Sequence, residues 1–187
     1  MGVRGIRVSL DKEEIFMTQL RAILRASLYG NLSVMFPMIS SVAEVQRAKL
    51  LLGRAGKELK AEKIPYNEKI EVGVMIETPA AVMISGELTR EVDFVSIGTN
   101  DLTQFTLGMD RGNERLEPYY NPHHPALLKM IRIVANNVHL ENKRISICGD
   151  LAADPEMTEF FLQIGIDELS VAPGEVLSLR KRIREIQ

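Results

Sequence analysis

The chain has 187 residues, 45% of them hydrophobic, enough for one domain with a substantial core. A net charge of -2 and a pI near 6.0 give no electrostatic footprint for nucleic acid or a membrane surface, and 5% aromatic residues without Trp argue against a base-stacking surface. No apolar run approaches the roughly 20 residues of a membrane span, no signal-peptide core opens the chain, and the single cysteine excludes an intrachain disulfide and suits a reducing cytoplasm.

In chain order, Gly2-Val3-Arg4-Gly5 is a turn with no leading strand. Asp11 with Glu14 makes a capping-box pattern, and Ile15, Phe16, Leu20, Ile23 and Leu24 follow at helical spacing until Gly30-Asn31 ends the helix. Leu32–Phe36 reads as a buried strand closed by Pro37. Ser41 with Glu44 is a second capping box, opening a charged helix to about Lys60 that Gly53 and Gly56 weaken. Strand Glu71–Ile76 ends on Glu77-Thr78-Pro79; the proline suits a first helical turn, and Ala80–Leu88 is that helix.

Phe94–Ile97 is a short apolar run broken by Gly98-Thr99-Asn100-Asp101, residues that favour turns and helix N-caps. Asp101 is an acceptor-only carboxylate, Asn100 offers donors and acceptors, and Arg111 is a fork for phosphate or carboxylate. Alone, an Asn-Asp pair here would do no more than cap the next helix. From Gly108 to Pro125 runs a long loop of the functional or mobile kind. Pro125–Leu140 is amphipathic, and Arg144–Ile147 is a strand ending on Cys148-Gly149-Asp150. A helix from about Pro155 to Ile164, a strand Glu168–Val171 and a basic helix complete the chain. Its Arg180, Lys181, Arg182 and Arg184 make a solvated face that needs no nucleic acid.

This alternation demands a parallel sheet with right-handed crossovers. A (β/α)8 barrel takes eight strands and typically about 250 residues. With about five βα units, residues 1–187 form either a complete open α/β sheet or a TIM-type barrel whose N-terminal strands are missing. Met1 followed directly by a turn favours the partial barrel.

Glu77, Asn100-Asp101 and Cys148-Gly149 follow three consecutive strands. In a parallel sheet such strand ends converge on one face, where two carboxylates, ligand oxygens and water are a usual Mg²⁺ environment in phosphoryl transfer. Cys148 alone would more often be a buried structural thiol, and its place between a strand and Gly149 raises the catalytic reading beside that one. His123, His124 and His139 read as surface or loop residues, and the methionines mostly as core.

The segments GVMIETPAA, DFVSIGTNDLTQFTLGMDRGN and CGDLAADP closely resemble the C-terminal part of the phosphoenolpyruvate–protein phosphotransferases, enzyme I of the bacterial sugar phosphotransferase system. Pyruvate phosphate dikinase and phosphoenolpyruvate synthase are cousins. The resemblance runs from Gly2 nearly to the C-terminus and implies a phosphoenolpyruvate-binding barrel acting in a cytoplasmic dimer. It matches Glu77 and Asp101 to Mg²⁺ ligands, and Asn100, Asp101 and Arg111 to the substrate site, Asn100 acting with backbone N–H groups of its loop. Arg4 matches a substrate-contacting arginine, and Cys148 the residue that protonates the methylene carbon of enolpyruvate.

The resemblance also implies partners: phosphoenolpyruvate and pyruvate, and a phosphocarrier protein reached through a histidine on a separate domain. Nothing in this chain matches that domain's Gly-rich Thr-Ser-His motif or two further phosphate-gripping arginines. Asp150 stands where better-known members carry Glu. The rival readings are part of a dikinase or synthase, which would need a nucleotide-grasp domain, and a non-catalytic self-association module. Mg²⁺-dependent affinity for phosphoenolpyruvate separates the last from the others.

Overall fold

A computed structural model describes residues 2–186, so the Met1 of the opening-turn argument lies outside the described residues. The element order is α1 (Ile6–Asp11), α2 (Glu13–Ala26), β1 (Ser33–Phe36), α3 (Val42–Ala61), β2 (Glu71–Ile76), α4 (Pro79–Met83), α5 (Ser85–Arg90), β3 (Phe94–Gly98), α6 (Thr99–Leu107), α7 (Pro125–Leu140), β4 (Arg144–Cys148), α8 (Pro155–Gln163), β5 (Glu168–Leu169) and α9 (Val176–Ile186). Short 3-10 turns occupy Glu114–Tyr119, Asp150–Ala153 and Pro173–Glu175. The five strands are all parallel, in the order β1-β2-β3-β4-β5.

The register sorts side chains onto two unlike faces. Phe36, Val74, Val95 and Ile145 share one row, and Ile76, Ile97, Ile147 and Leu169 the next. All but Leu169 are buried, packed beneath helices with Leu20, Leu59, Leu88, Leu127 and Ile131. The opposite face carries Met35, Gly73, Phe94 and Arg144 in one row, then Met75, Ser96, Ser146 and Glu168. It is only partly covered and lines an open cavity of about 580 Å³. A parallel sheet with helices packed on one face and a mixed row of apolar and polar side chains turned to an open cavity on the other has the layering of an arc of a barrel wall.

Local chemistry explains most elements. Ser41 and Glu44 form the expected capping box at α3. Pro79 and Pro125 stand in the first turns of α4 and α7. Gly56 leaves α3 unbroken because Tyr66 fills its place; a Cβ there would lie 2.7 Å from the Tyr66 hydroxyl.

Other expectations are corrected. Asp11 caps nothing: it ends α1, a turn that the apolar spacing does not announce, and α2 begins without a side-chain cap. That helix stops at Ala26, before Gly30, because the Ser27 hydroxyl turns back to the Leu24 carbonyl. Ala80–Leu88 is two short helices broken at Ile84, where Ser85 bonds the Val82 carbonyl and receives Asn137. The long loop contains a 3-10 turn, and the last strand is shorter than expected. Met83 is well exposed, and Met75 faces the cavity side of the sheet.

Candidate active site

The rim at the C-terminal ends of the strands gathers most of the residues singled out by sequence. Gly98 pairs with Cys148 across β3 and β4, and continuing the β2–β3 register by one step sets Glu77 beside Gly98. Gly98 is the space that this row needs: a Cβ there would lie 2.6 Å from Glu77 Oε2. Glu77 is almost fully buried, and its Oε1 accepts the Met38 backbone N–H at 2.7 Å. Burial pushes the Glu77 carboxyl above its ordinary range. The Met38 N–H works against that rise, while the neighbouring charge of Asp101 adds to it.

Asp101 and Asn100 lie in the first turn of α6 rather than at its cap. Gly98 is the cap, and among the described residues no side-chain cap bond reaches the amides there. The start of α6 therefore presents N–H groups and the positive end of a helix dipole to the rim. Asn100 Oδ1 accepts the Asp150 N–H at 2.9 Å, which turns its amide donors outward. Thr99 ties the same turn to β4 through the Cys148 carbonyl, at 2.8 Å. Gly149, at φ +92, is required by this closeness, since a Cβ would collide with Thr99 and Asn100.

Asp101 is also held from the far end of the chain. Arg4 Nη1 and Nη2 donate to Oδ1 and Oδ2 at 2.7 and 3.0 Å, a bidentate pair spanning 97 residues. The corner behind it is fixed by the Ile6 N–H on the Pro37 carbonyl at 3.2 Å. There Gly5 and Met38 both adopt positive φ and pack together; a Cβ on Gly5 would lie 2.7 Å from that of Met38. Met38 is the residue that sequence reasoning missed. A buried methionine at φ 59 has no signature in composition or spacing, yet its N–H orients Glu77.

Cys148 lines the cavity together with Ser96, and its Sγ lies 3.7 Å from Met75 Sδ. Burial pushes the Cys148 thiol up; a hydrogen bond from Ser96 opposes this, and the charges of Glu77 and Asp101 reinforce it. These surroundings favour the thiol over the thiolate, which suits a proton donor better than a nucleophile.

Arg111 is not drawn into this cluster by any direct bond among the described residues. It lies in a neighbouring cleft of about 260 Å³ with Asn113 and Tyr120, its backbone N–H on Gln104 Oε1 at 3.0 Å. Tyr120 links the two places. Burial pushes its phenol up, Thr103 opposes, and the charges of Asp150, Arg111 and Asp101 all reach it. The histidines are engaged elsewhere: His123 with Asp154 at 2.6 Å, His124 as the cap of α7, and His139 with the Gly165 carbonyl.

Among the described residues no group of three or more His, Cys, Asp or Glu surrounds a metal position. Glu77 and Asp101 make two adjacent carboxylates, a donor set that fits a hard divalent cation completed by ligand oxygens and water. No described helix is long and apolar enough to cross a membrane.

Over residues 1–187 the chain matches the family described as PEP-utilising enzyme, PEP-binding domain. It is 48% identical over 185 residues to the phosphoenolpyruvate-protein phosphotransferase of Buchnera aphidicola subsp. Baizongia pistaciae, covering 99% of this chain and 32% of that protein. It is 47% identical over 186 residues to the protein of the same name from Haemophilus influenzae, covering 100% of this chain and 32% of that one. The chain thus spans about a third of the length of the curated relatives it matches. A citrate lyase from Burkholderia xenovorans superposes with a TM-score of 0.67 at 17% identity, covering 89% of this chain and 53% of that one. At that identity the likeness shows the fold alone, part of a TIM-type barrel.

Proposed function

The chain belongs to the PEP-utilising enzymes through their PEP-binding domain, and on that premise we propose that the rim of Glu77, Asp101, Asn100, Arg4 and Cys148 binds phosphoenolpyruvate with Mg²⁺. Within a longer protein like its curated relatives, it would serve transfer of the phosphoryl group to a histidine outside this chain, and thence to a phosphocarrier protein. The observation that carries the reading is the single row of Glu77, Gly98 and Cys148, with Asp101 beside it.

The Asn100 amide and the uncapped start of α6 would hold the phosphate, with Arg4 and Arg111 as further cations. Glu77 and Asp101 would hold Mg²⁺, which would supply charge neutralisation. Phosphoryl transfer asks mainly for such positioning and charge. The P–O bond breaks, its electron pair stays on the enolate oxygen, and the phosphoryl group passes to the histidine nitrogen. Cys148 then gives its Sγ proton to the enolate methylene carbon, forming pyruvate and a thiolate that regains a proton from water. A cytoplasmic location, suggested by the lone cysteine, and self-association along exposed strand edges belong to the same proposal.

Titration calorimetry of this chain with phosphoenolpyruvate tests the reading. Affinity should need Mg²⁺ and vanish in Glu77→Gln. With two arginine contacts unmatched, it should be roughly 10²–10⁴-fold weaker than a complete site gives. Binding indifferent both to Mg²⁺ and to Glu77 would overturn it.

A further inference from the structure

Asp101 has both carboxylate oxygens taken by one guanidinium, Oδ1 by Arg4 Nη1 and Oδ2 by Arg4 Nη2. Glu77 is arranged differently. Among the described residues its Oε1 accepts the Met38 N–H and no cation is bonded to Oε2, which lies over Gly98 with the Asp101 carboxylate nearby. A cation arriving at this pair would find Glu77 ready and Asp101 closed.

The closing group is also the easiest part of the site to move. Arg4's backbone is anchored by its neighbours, through the Gly5–Met38 packing and the Ile6 N–H on Pro37. Its side chain is 48% exposed, against 20% for Asp101. An ion pair that open holds its partner weakly, and its strength falls with salt. A divalent ion in the same place has twice the charge and a second carboxylate to hold it.

We propose that Arg4 is a resident cation of this site: it holds Asp101 until a divalent cation takes its place, and then turns to the phosphate of the ligand. The inference rests on the reading of Glu77 and Asp101 as a metal site and adds an order to it. Metal alone must displace Arg4, and a phosphorylated ligand alone must win Arg4 from Asp101. Each makes the other's task easier, so the two bind interdependently, and by linkage the effect is reciprocal.

The test measures metal occupancy rather than turnover. Mn²⁺ binding to this chain is followed by the electron paramagnetic resonance signal of free Mn²⁺, with and without phosphoenolpyruvate, for wild type, Arg4→Gln and Asp101→Asn. Arg4 lies outside the core, so Arg4→Gln does not threaten folding. Without phosphoenolpyruvate, Arg4→Gln should bind Mn²⁺ roughly two- to five-fold more tightly than wild type, the range an exposed ion pair commands. With phosphoenolpyruvate the advantage should vanish or reverse. Asp101→Asn should lose Mn²⁺ in both conditions. Mn²⁺ binding that needs Asp101 but is no tighter in Arg4→Gln overturns this inference and leaves the metal reading standing. Binding indifferent to Asp101 overturns both.

Discussion

Glu77 holds the site's clearest tension between stability and use. Its carboxyl is raised in the folded state by burial, so folding favours the protonated form. The stabilisation this gives is fully present below the ordinary glutamate range, about pH 4, and is lost as pH rises through the raised folded value. Near neutral pH the ionised group is therefore a burden on the fold. Glu77→Gln keeps the acceptor for Met38 and sets an amide donor toward Asp101. It should raise Tm near neutral pH, by roughly 2–4 °C for each kcal/mol regained, with the gain closing toward about pH 4. Thermal melts across that range check this; a gain that grows in acid would contradict it. Cys148 carries the opposite kind of prediction. In a protein complete with its histidine domain, Cys148→Ser should leave phosphoenolpyruvate affinity near normal and slow pyruvate formation by roughly 10²–10⁴. In this chain its raised thiol should react with iodoacetamide more slowly than a free thiol near neutral pH, and catch up as pH rises. Normal turnover in the serine variant would return Cys148 to a packing role.

At the scale of elements, the site exists because three strand ends stop at one level, and Gly98 keeps that level open. Gly98→Ala would drive a Cβ to 2.6 Å from Glu77 Oε2 and 3.1 Å from Met75 Sδ. The cost should be about 1–3 kcal/mol in urea unfolding, because Glu77 is buried and pinned by Met38. Adding Glu77→Ala removes the Oε2 contact but leaves the Glu77 Cβ at 3.0 Å, so it should recover part of the cost, an interaction that a double-mutant cycle reads directly. Strictly additive losses would mean that the two do not meet. This level was legible in the sequence, since Val74–Ile76, Val95–Ile97 and Ile145–Ile147 are short stretches rich in β-branched residues, each followed by a turn-forming break, and parallel register converts equal breaks into one rim. Caps with a fixed chemical pattern, Ser41 with Glu44 and the first-turn prolines, were legible for the same reason. What escaped depends on long-range partners or on φ. The Arg4–Asp101 pair joins residues 97 apart, and Met38's backbone follows from packing against Gly5. The break at Ile84 follows from Ser85 finding Asn137, far along the chain.

The molecule as a whole is a sheet with one finished face and one unfinished one. Helices bury Val34 and Phe36 from one side of β1, while Met35 on the other side is 37% exposed and Leu32 just before the strand is 38% exposed. β1 pairs only with β2, so its outer N–H and C=O groups are unpaired among the described residues. An edge of this kind, with apolar side chains and no proline or charge within the strand, is a template for another chain. The short β5 at the opposite edge carries Glu168, which discourages such pairing. Self-association should therefore run through β1. Sedimentation velocity at micromolar concentration should show dimers or larger species of this chain. Met35→Lys should shift that equilibrium toward monomer by about tenfold or more, because an ammonium on the open face is lost to solvent when the edge is covered. It should leave the helix-covered core, and hence the circular dichroism spectrum, unchanged. A wild-type chain that sediments as a monomer would show the edge to be blunt. Association that survives Met35→Lys at full strength would move the seam to the exposed helix faces around Ile15 and Leu50, 66% exposed each, which pack against no sheet.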